Sequence, residues 1–209
     1  MRNTMCYEVQ SLDEYLFLME ELQLTEGQYY FRGENRRYPS LSSSLLRPQF
    51  ARLLRDNPAY CEETVNGYIH DLASDAGAWE REYTLAWCHH EGLPTNLLEL
   101  TRSPLRALYY ACISRSDQHG QEEEGVVYGF AQKDMKDITG MVSVPTDACL
   151  NRDNLLIGMD YNAELHPEQL PYLIYQAPYK YEGSDEEGGL YFYQLFQLLP
   201  TPGEELPMN

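Results

Sequence analysis

Tyr30-Phe31-Arg32-Gly33 places a guanidinium directly after two aromatic residues and directly before a glycine. A planar guanidinium can hold a phosphate or carboxylate through two parallel hydrogen bonds. It can equally be neutralised inside the protein, here by Glu99 or a chain carbonyl, as a structural bridge. His89, His90 and Glu91 offer a general base or a cation beside an anion. Neighbouring helical positions point about 100° apart, so the two imidazoles cannot chelate one ion as an i, i+4 pair would, and no metal site is expected. His90 at a helix C-terminus is stabilised when protonated, and a helix-capping cation accounts for the same placement. Thr95 and Glu99 stand at alternate positions of an extended segment and share a face with Leu97, where a hydroxyl and a carboxylate can meet Arg32.

The elements that must hold these groups are read from the run between Trp87 and Cys112. Gly92 suits a helix C-terminus, and Pro94 drives Leu93 out of helical dihedrals, so the chain turns there. Ser103 followed by Pro104 is an N-cap with proline at the first helical position. Leu105, Leu108 and Cys112 then recur on one face and, with Leu97, Leu98 and Tyr109, are expected in the core. Upstream, Ser11 and Glu14 form a capping box. The helix they open carries Leu12, Tyr15, Leu16, Met19 and Leu22 as a face to cover a sheet, and ends before Gly27.

Residues 28–32 read as a strand stopped by Gly33, and residues 39–48 as an irregular loop. Residues 58–76 and 79–91 read as helices, and 125–131 as a strand with Gly129 at a bulge or a close approach. An acidic loop at 117–124, a short helix within 146–157, and strands at 170–176 and 190–199 joined by an acidic connector at 183–189 complete the reading. Strands mixed with helices, without regular alternation, predict an α+β fold. The expectation is one domain with a mostly antiparallel mixed sheet flanked by helices. Residues 1–27 form a helical segment packed on it, 28–200 the domain and 201–209 a polar tail.

The 209 residues carry a formal charge of −18, which disfavours binding to a nucleic-acid backbone. Arginines concentrate at Arg32, Arg36, Arg37, Arg47, Arg52 and Arg55, so anion affinity is expected in that early third. Five cysteines, Cys6, Cys61, Cys88, Cys112 and Cys149, lie at irregular spacing with no C-x-x-C pair, as reduced core thiols do. The start of the chain lacks the apolar core of a signal peptide and no stretch suits a membrane span, so a cytoplasmic address is expected. Phosphate-loop, dinucleotide, zincin and nucleophile-elbow motifs are absent, which argues against kinases, hydrolases and oxidoreductases.

Tyr30-Phe31-Arg32-Gly33 resembles the signature of the FRG domain. His90-Glu91-Gly92-Leu93-Pro94-Thr95, with Leu97, Leu98 and Thr101-Arg102-Ser103-Pro104-Leu105, resembles that family's second block. Ile174-Tyr175-Gln176 is similar to a late family strand, so the resemblance runs from about residue 29 to 179. Asn96 stands where the family has arginine, Glu99 where it has aspartate and Leu100 where it has tryptophan. The resemblance implies a family without an assigned activity.

Two readings follow. The first is a module that binds a small phosphate-bearing anion or a basic protein partner through an arginine- and histidine-lined cleft. Arg32, Tyr30, Thr95, Asn96 and Arg102 are its ligand-binding residues. The alternative is enzymatic, because the strand is also similar to the opening strand of arginine-type ADP-ribosyltransferases. That resemblance implies NAD as the dinucleotide, Arg32 on its diphosphate and His90 or Thr95 on its ribose. Glu99 or Gln176 would then face the developing charge, making Glu99, His90 and Gln176 the catalytic candidates.

Overall fold

The computed structural model describes residues 5–24, 27–57, 59–72, 77, 82–113, 123–142, 149–158, 170–178 and 191–200. The connector expected at 183–189, the tail at 201–209 and most of the acidic loop at 117–124 lie outside them.

Short-range punctuation fixes the helix ends. Helix α1 (Leu12–Glu21) starts at Ser11, whose Oγ accepts the Glu14 N–H at 3.2 Å. The Glu14 carboxylate accepts the Gln10 N–H at 2.7 Å, so the reciprocal arm of the capping box reaches one residue before the cap. Helix α2 (Pro48–Asp56) opens on a proline and was not expected. Helices α3 (Tyr60–Leu72) and α4 (Thr84–His90) fall inside the two expected helical runs. Gly92, at φ +84°, closes α4: its N–H donates to the His89 carbonyl at 3.1 Å and the Leu93 N–H to that of Cys88 at 3.0 Å. That pair of bonds is a Schellman turn, and its left-handed residue favours glycine. Helix α5 (Pro104–Cys112) begins where Ser103 Oγ accepts the Arg106 N–H, and α6 (Arg152–Gly158) follows Asn151.

The strands are β1 (Tyr29–Glu34), β2 (Leu97–Leu100), β3 (Val126–Ala131), β4 (Met135–Asp137), β5 (Tyr172–Pro178) and β6 (Tyr191–Phe196). They divide between two sheets. β1 pairs antiparallel with β3, with Phe31 opposite Gly129 and Arg32 opposite Tyr128. The other sheet is mixed, in the order β2-β6-β5-β4, and β5 and β6 pair antiparallel. The α+β class is as expected. Among the described residues no helix is long and apolar enough to cross a membrane.

The chain gathers into two compact units. One comprises Met1–Tyr38, Leu100–Met135 and Glu164–Tyr172. In it β1 does not stop at Gly33 but runs on to Glu34. The glycine serves packing instead. A Cβ on Gly33 would lie 1.8 Å from the Ala107 carbonyl oxygen, and one on Gly125 2.1 Å from that of Ala111, so both mark where the α5 backbone presses on neighbouring chain. Ala107 and Ala111 are buried, whereas Leu105, Tyr109 and Cys112, expected in the core, face outward. Small residues win the inner face because only they allow this approach.

Helix α1 buries Tyr15, whose hydroxyl donates to the Pro104 carbonyl at 2.9 Å. Burial, with Cys112 nearby as a smaller cause, pushes that phenol up to about 12. Leu12 and Leu16 are exposed, so α1 covers less than its spacing suggested.

The other unit comprises Pro39–Glu99, Lys136–Ala163 and Leu173–Asn209. Leu85, Leu97, Ile138, Leu155, Tyr175 and Phe196 belong to one apolar cluster. Leu45, Leu54, Cys61, Val65, Cys88 and Leu199 form a second, with Cys149 against it. All five cysteines are free. A hydrogen bond between the Cys61 and Cys149 thiols draws Cys61 down and pushes Cys149 up.

Candidate functional site

In the first unit β1 is hydrogen-bonded to the segment that leads into α5. The Phe31 N–H donates to the Thr101 carbonyl at 2.7 Å, and the Thr101 N–H returns to that of Phe31 at 2.8 Å. The Arg102 guanidinium lies over the Tyr30 ring, 5.7 Å from its centroid. Gly33 meets α5 one turn further on. Each residue of the aromatic-Arg-Gly run thus has a structural task, apart from any ligand.

Strand alternation sends Tyr30, Arg32 and Glu34 to one face of the β1–β3 pair, with Phe130, Tyr128 and Val126 opposite them. Phe31 and Gly33 take the other face, under α5. On the polar face Arg32 Nε donates to Glu34 Oε1 at 3.0 Å, with the side chains 17% and 6% exposed. Glu34 Oε2 is buried and has no hydrogen-bond partner among the described residues. Burial and then the Glu34 charge push the Tyr128 phenol up, while Arg37 and Arg32 pull it back. Arg36 stacks 4.5 Å over the Tyr38 ring and pairs with Glu123 at 3.6 Å. The turn after β1 therefore holds two arginines, of which Arg37 is exposed.

In the second unit the histidine that meets Thr95 and Glu99 is His89. Its Nδ1 lies 2.7 Å from Thr95 Oγ1 and its Nε2 3.8 Å from Glu99 Oε1. Thr95 is buried, and the same oxygen accepts the Leu97 N–H at 3.4 Å. Ser44 Oγ accepts the Thr95 N–H at 3.0 Å and donates to its carbonyl at 3.1 Å, pinning the loop from both sides. A hydroxyl and a carboxylate on opposite ring nitrogens orient an imidazole, but burial takes the threonine out of reach as a nucleophile. Thr95→Val is expected to cost about 1–2 kcal/mol in urea unfolding, because it strands two buried polar groups. Glu99→Ala should cost under about 0.5 kcal/mol, because that carboxylate is 67% exposed and its ion pair is long.

The remaining sequence candidates have other neighbours. His90 is exposed, its ring 5.8 Å from that of Phe192. Gln176 Nε2 donates to Asp137 Oδ2 at 2.8 Å, and its N–H to Thr139 Oγ1 at 2.8 Å, tying β5 to β4. Asn96 is fully buried, with Nδ2 donating to the Gln197 carbonyl at 2.8 Å and its own carbonyl accepting the Gln197 N–H at 2.9 Å. Arg32 and Glu99 belong to different units, and they pair with Glu34 and His89 respectively.

Sequence reasoning passed over Glu34 and Gln197, and of the two histidines it weighed it chose His90 where the structure uses His89. Glu34 was within reach, since it stands two residues from Arg32 on the same strand face. Gln197 carried no signal: its side chain links the Ser43 N–H, at 2.6 Å, to the Leu41 carbonyl, at 2.7 Å, across more than 150 positions of chain. Among the described residues no group of three or more His, Cys, Asp or Glu side chains is placed to hold a metal ion.

No curated protein and no solved structure matches the chain. The family model described as the FRG domain matches residues 27–120, from the turn before β1 to beyond α5. The likeness at Ile174-Tyr175-Gln176 lies outside that match. The two blocks that carry the resemblance fall inside it, hydrogen-bonded to each other through Phe31 and Thr101, and over residues 27–120 the chain matches the FRG domain.

Proposed function

We propose that the protein is a cytoplasmic binding module for a small ligand that carries both a phosphate and a hydroxyl. The observation behind this reading is the buried Glu34 carboxylate, half engaged by Arg32 and half without a hydrogen-bond partner among the described residues. An orphaned charged oxygen in the interior costs enough that it calls for an explanation, and a ligand hydroxyl would satisfy it. The exposed Arg37 and the part-exposed Arg32 supply the positive charge that a phosphate needs, within a chain of net charge −18. A sugar phosphate or a nucleotide carries both groups.

The test is a thermal-shift panel of NAD, ADP-ribose, mononucleotides, sugar phosphates and inorganic phosphate. It uses wild type and the double variant Arg32→Gln with Glu34→Gln, which removes both charges together. A compound that raises the wild-type melting temperature and leaves the folded double variant unmoved supports the reading, since only binding to the native state stabilises. No shift from any compound at millimolar concentration sinks it. Release of nicotinamide from NAD by the wild type would move the assignment to the transferase.

A further inference from the structure

We infer that the outward side of α1 and α5 is a docking surface for a basic amphipathic helix of a partner protein. Helix α5 is apolar on both sides. Its inner face is Ala107 and Ala111, and its outer face carries Leu105 and Tyr109, 52% and 65% exposed. Helix α1 adds Leu12 and Leu16, 55% and 43% exposed and one turn apart on one face. The two helices are neighbours, because Tyr15 bonds from one to the start of the other. Large apolar groups gathered on adjoining helices are what a partner covers, whereas a monomer's surface scatters them.

The border of this surface states the partner's charge. Glu8, Asp13, Glu14, Glu20 and Glu21 are all exposed, and no lysine or arginine occurs between Arg2 and Arg32. Helix α5 contributes a single base, Arg106. An apolar strip edged by acids fits a helix with apolar anchors at i, i+3, i+4 and i+7 and lysine or arginine beside them. A second copy would bring the same acids against these, and an anionic membrane would repel them. The inference does not rest on the ligand reading, because α5 lies on the Phe31 and Gly33 face of β1 and Arg32 and Glu34 on the other.

Fluorescence anisotropy with synthetic peptides tests it. The probe is a labelled leucine–lysine peptide of about 18 residues, five helical turns, with apolar residues at helical spacing. A scrambled isomer and a leucine–glutamate counterpart are the controls. Wild type is expected to bind the probe roughly tenfold or more tighter than either control, with affinity falling as salt rises. Leu16→Asp with Tyr109→Asp should lose roughly tenfold or more in affinity at an unchanged melting temperature. Glu20→Lys with Glu21→Lys should shift preference toward the glutamate peptide. Equal binding of the scrambled peptide, or full binding by the Leu16 and Tyr109 double variant, overturns the inference. So does a sedimenting dimer that Tyr109→Asp dissolves, which would name a second copy as the occupant. Flotation with neutral phosphatidylcholine vesicles would name a membrane and overturn it equally.

Discussion

Gly33→Ala is expected to be among the most damaging single substitutions in the chain, costing about 3 kcal/mol or more in urea unfolding. The added methyl would sit 1.8 Å from the Ala107 carbonyl oxygen, 2.7 Å from its carbonyl carbon and 2.9 Å from the Ala111 nitrogen. All three are backbone atoms of α5, so no rotamer change relieves the clash. Either the helix lifts off β1 or the strand bends. The φ of Gly33 is not in the left-handed region, so the cost is steric and not dihedral. Gly129→Ala is the control, on the partner strand opposite Phe31. Its nearest contact would be the Phe31 ring at 3.8 Å, an ordinary van der Waals distance, and its effect should stay within about 0.5 kcal/mol. Equal losses at the two positions would refute the packing role.

Arg32→Ala is expected to cost about 3–5 kcal/mol, because it leaves the Glu34 carboxylate buried without its cation. Much of that loss comes from the stranded charge and not from the lost attraction. The double variant Arg32→Gln with Glu34→Gln should therefore retain more stability than Arg32→Ala alone. The comparison is a pair of chemical denaturation curves at neutral pH. If the double variant is no more stable than the single one, the burden lies with other contacts of Arg32 and not with Glu34. The order of stabilities also decides which protein suits the ligand panel, since only a folded variant can report lost binding.

What could be read in the sequence was punctuation. Ser11, Gly92, Ser103 and Pro104 each act within a few residues of themselves, and each does in the structure what local chemistry demands. Packing between distant segments left less trace. Gly33 was taken as a strand stop because glycine usually ends a strand, whereas here it admits a helix backbone. The large residues of α5 were assigned inward because apolar bulk usually means core, and the alanines took that place. Helix α2 went unread since arginines interrupt its apolar positions, and β4, at three residues, is too short for alternation to register. For the site, the helical angle between His89 and His90 excluded a shared ion, but His90 was chosen for the site, and it is His89 that meets Thr95.

The clasp between Asn96 and Gln197 bears on the order in which the chain acquires structure during its synthesis. Its two partners are 101 residues apart, and closing a loop of that length costs about 4 kcal/mol of chain entropy before any contact offsets it. Synthesis runs at roughly 5–20 residues per second, so β2 waits several seconds for its neighbour to leave the ribosome. During that interval its backbone groups are unpaired against β6, and Leu97 and Leu98, later buried, have no sheet to enter. Such an edge is what chaperones hold and what aggregation recruits. The long wait for Gln197 makes the nascent chain, more than the finished fold, the vulnerable form of this protein.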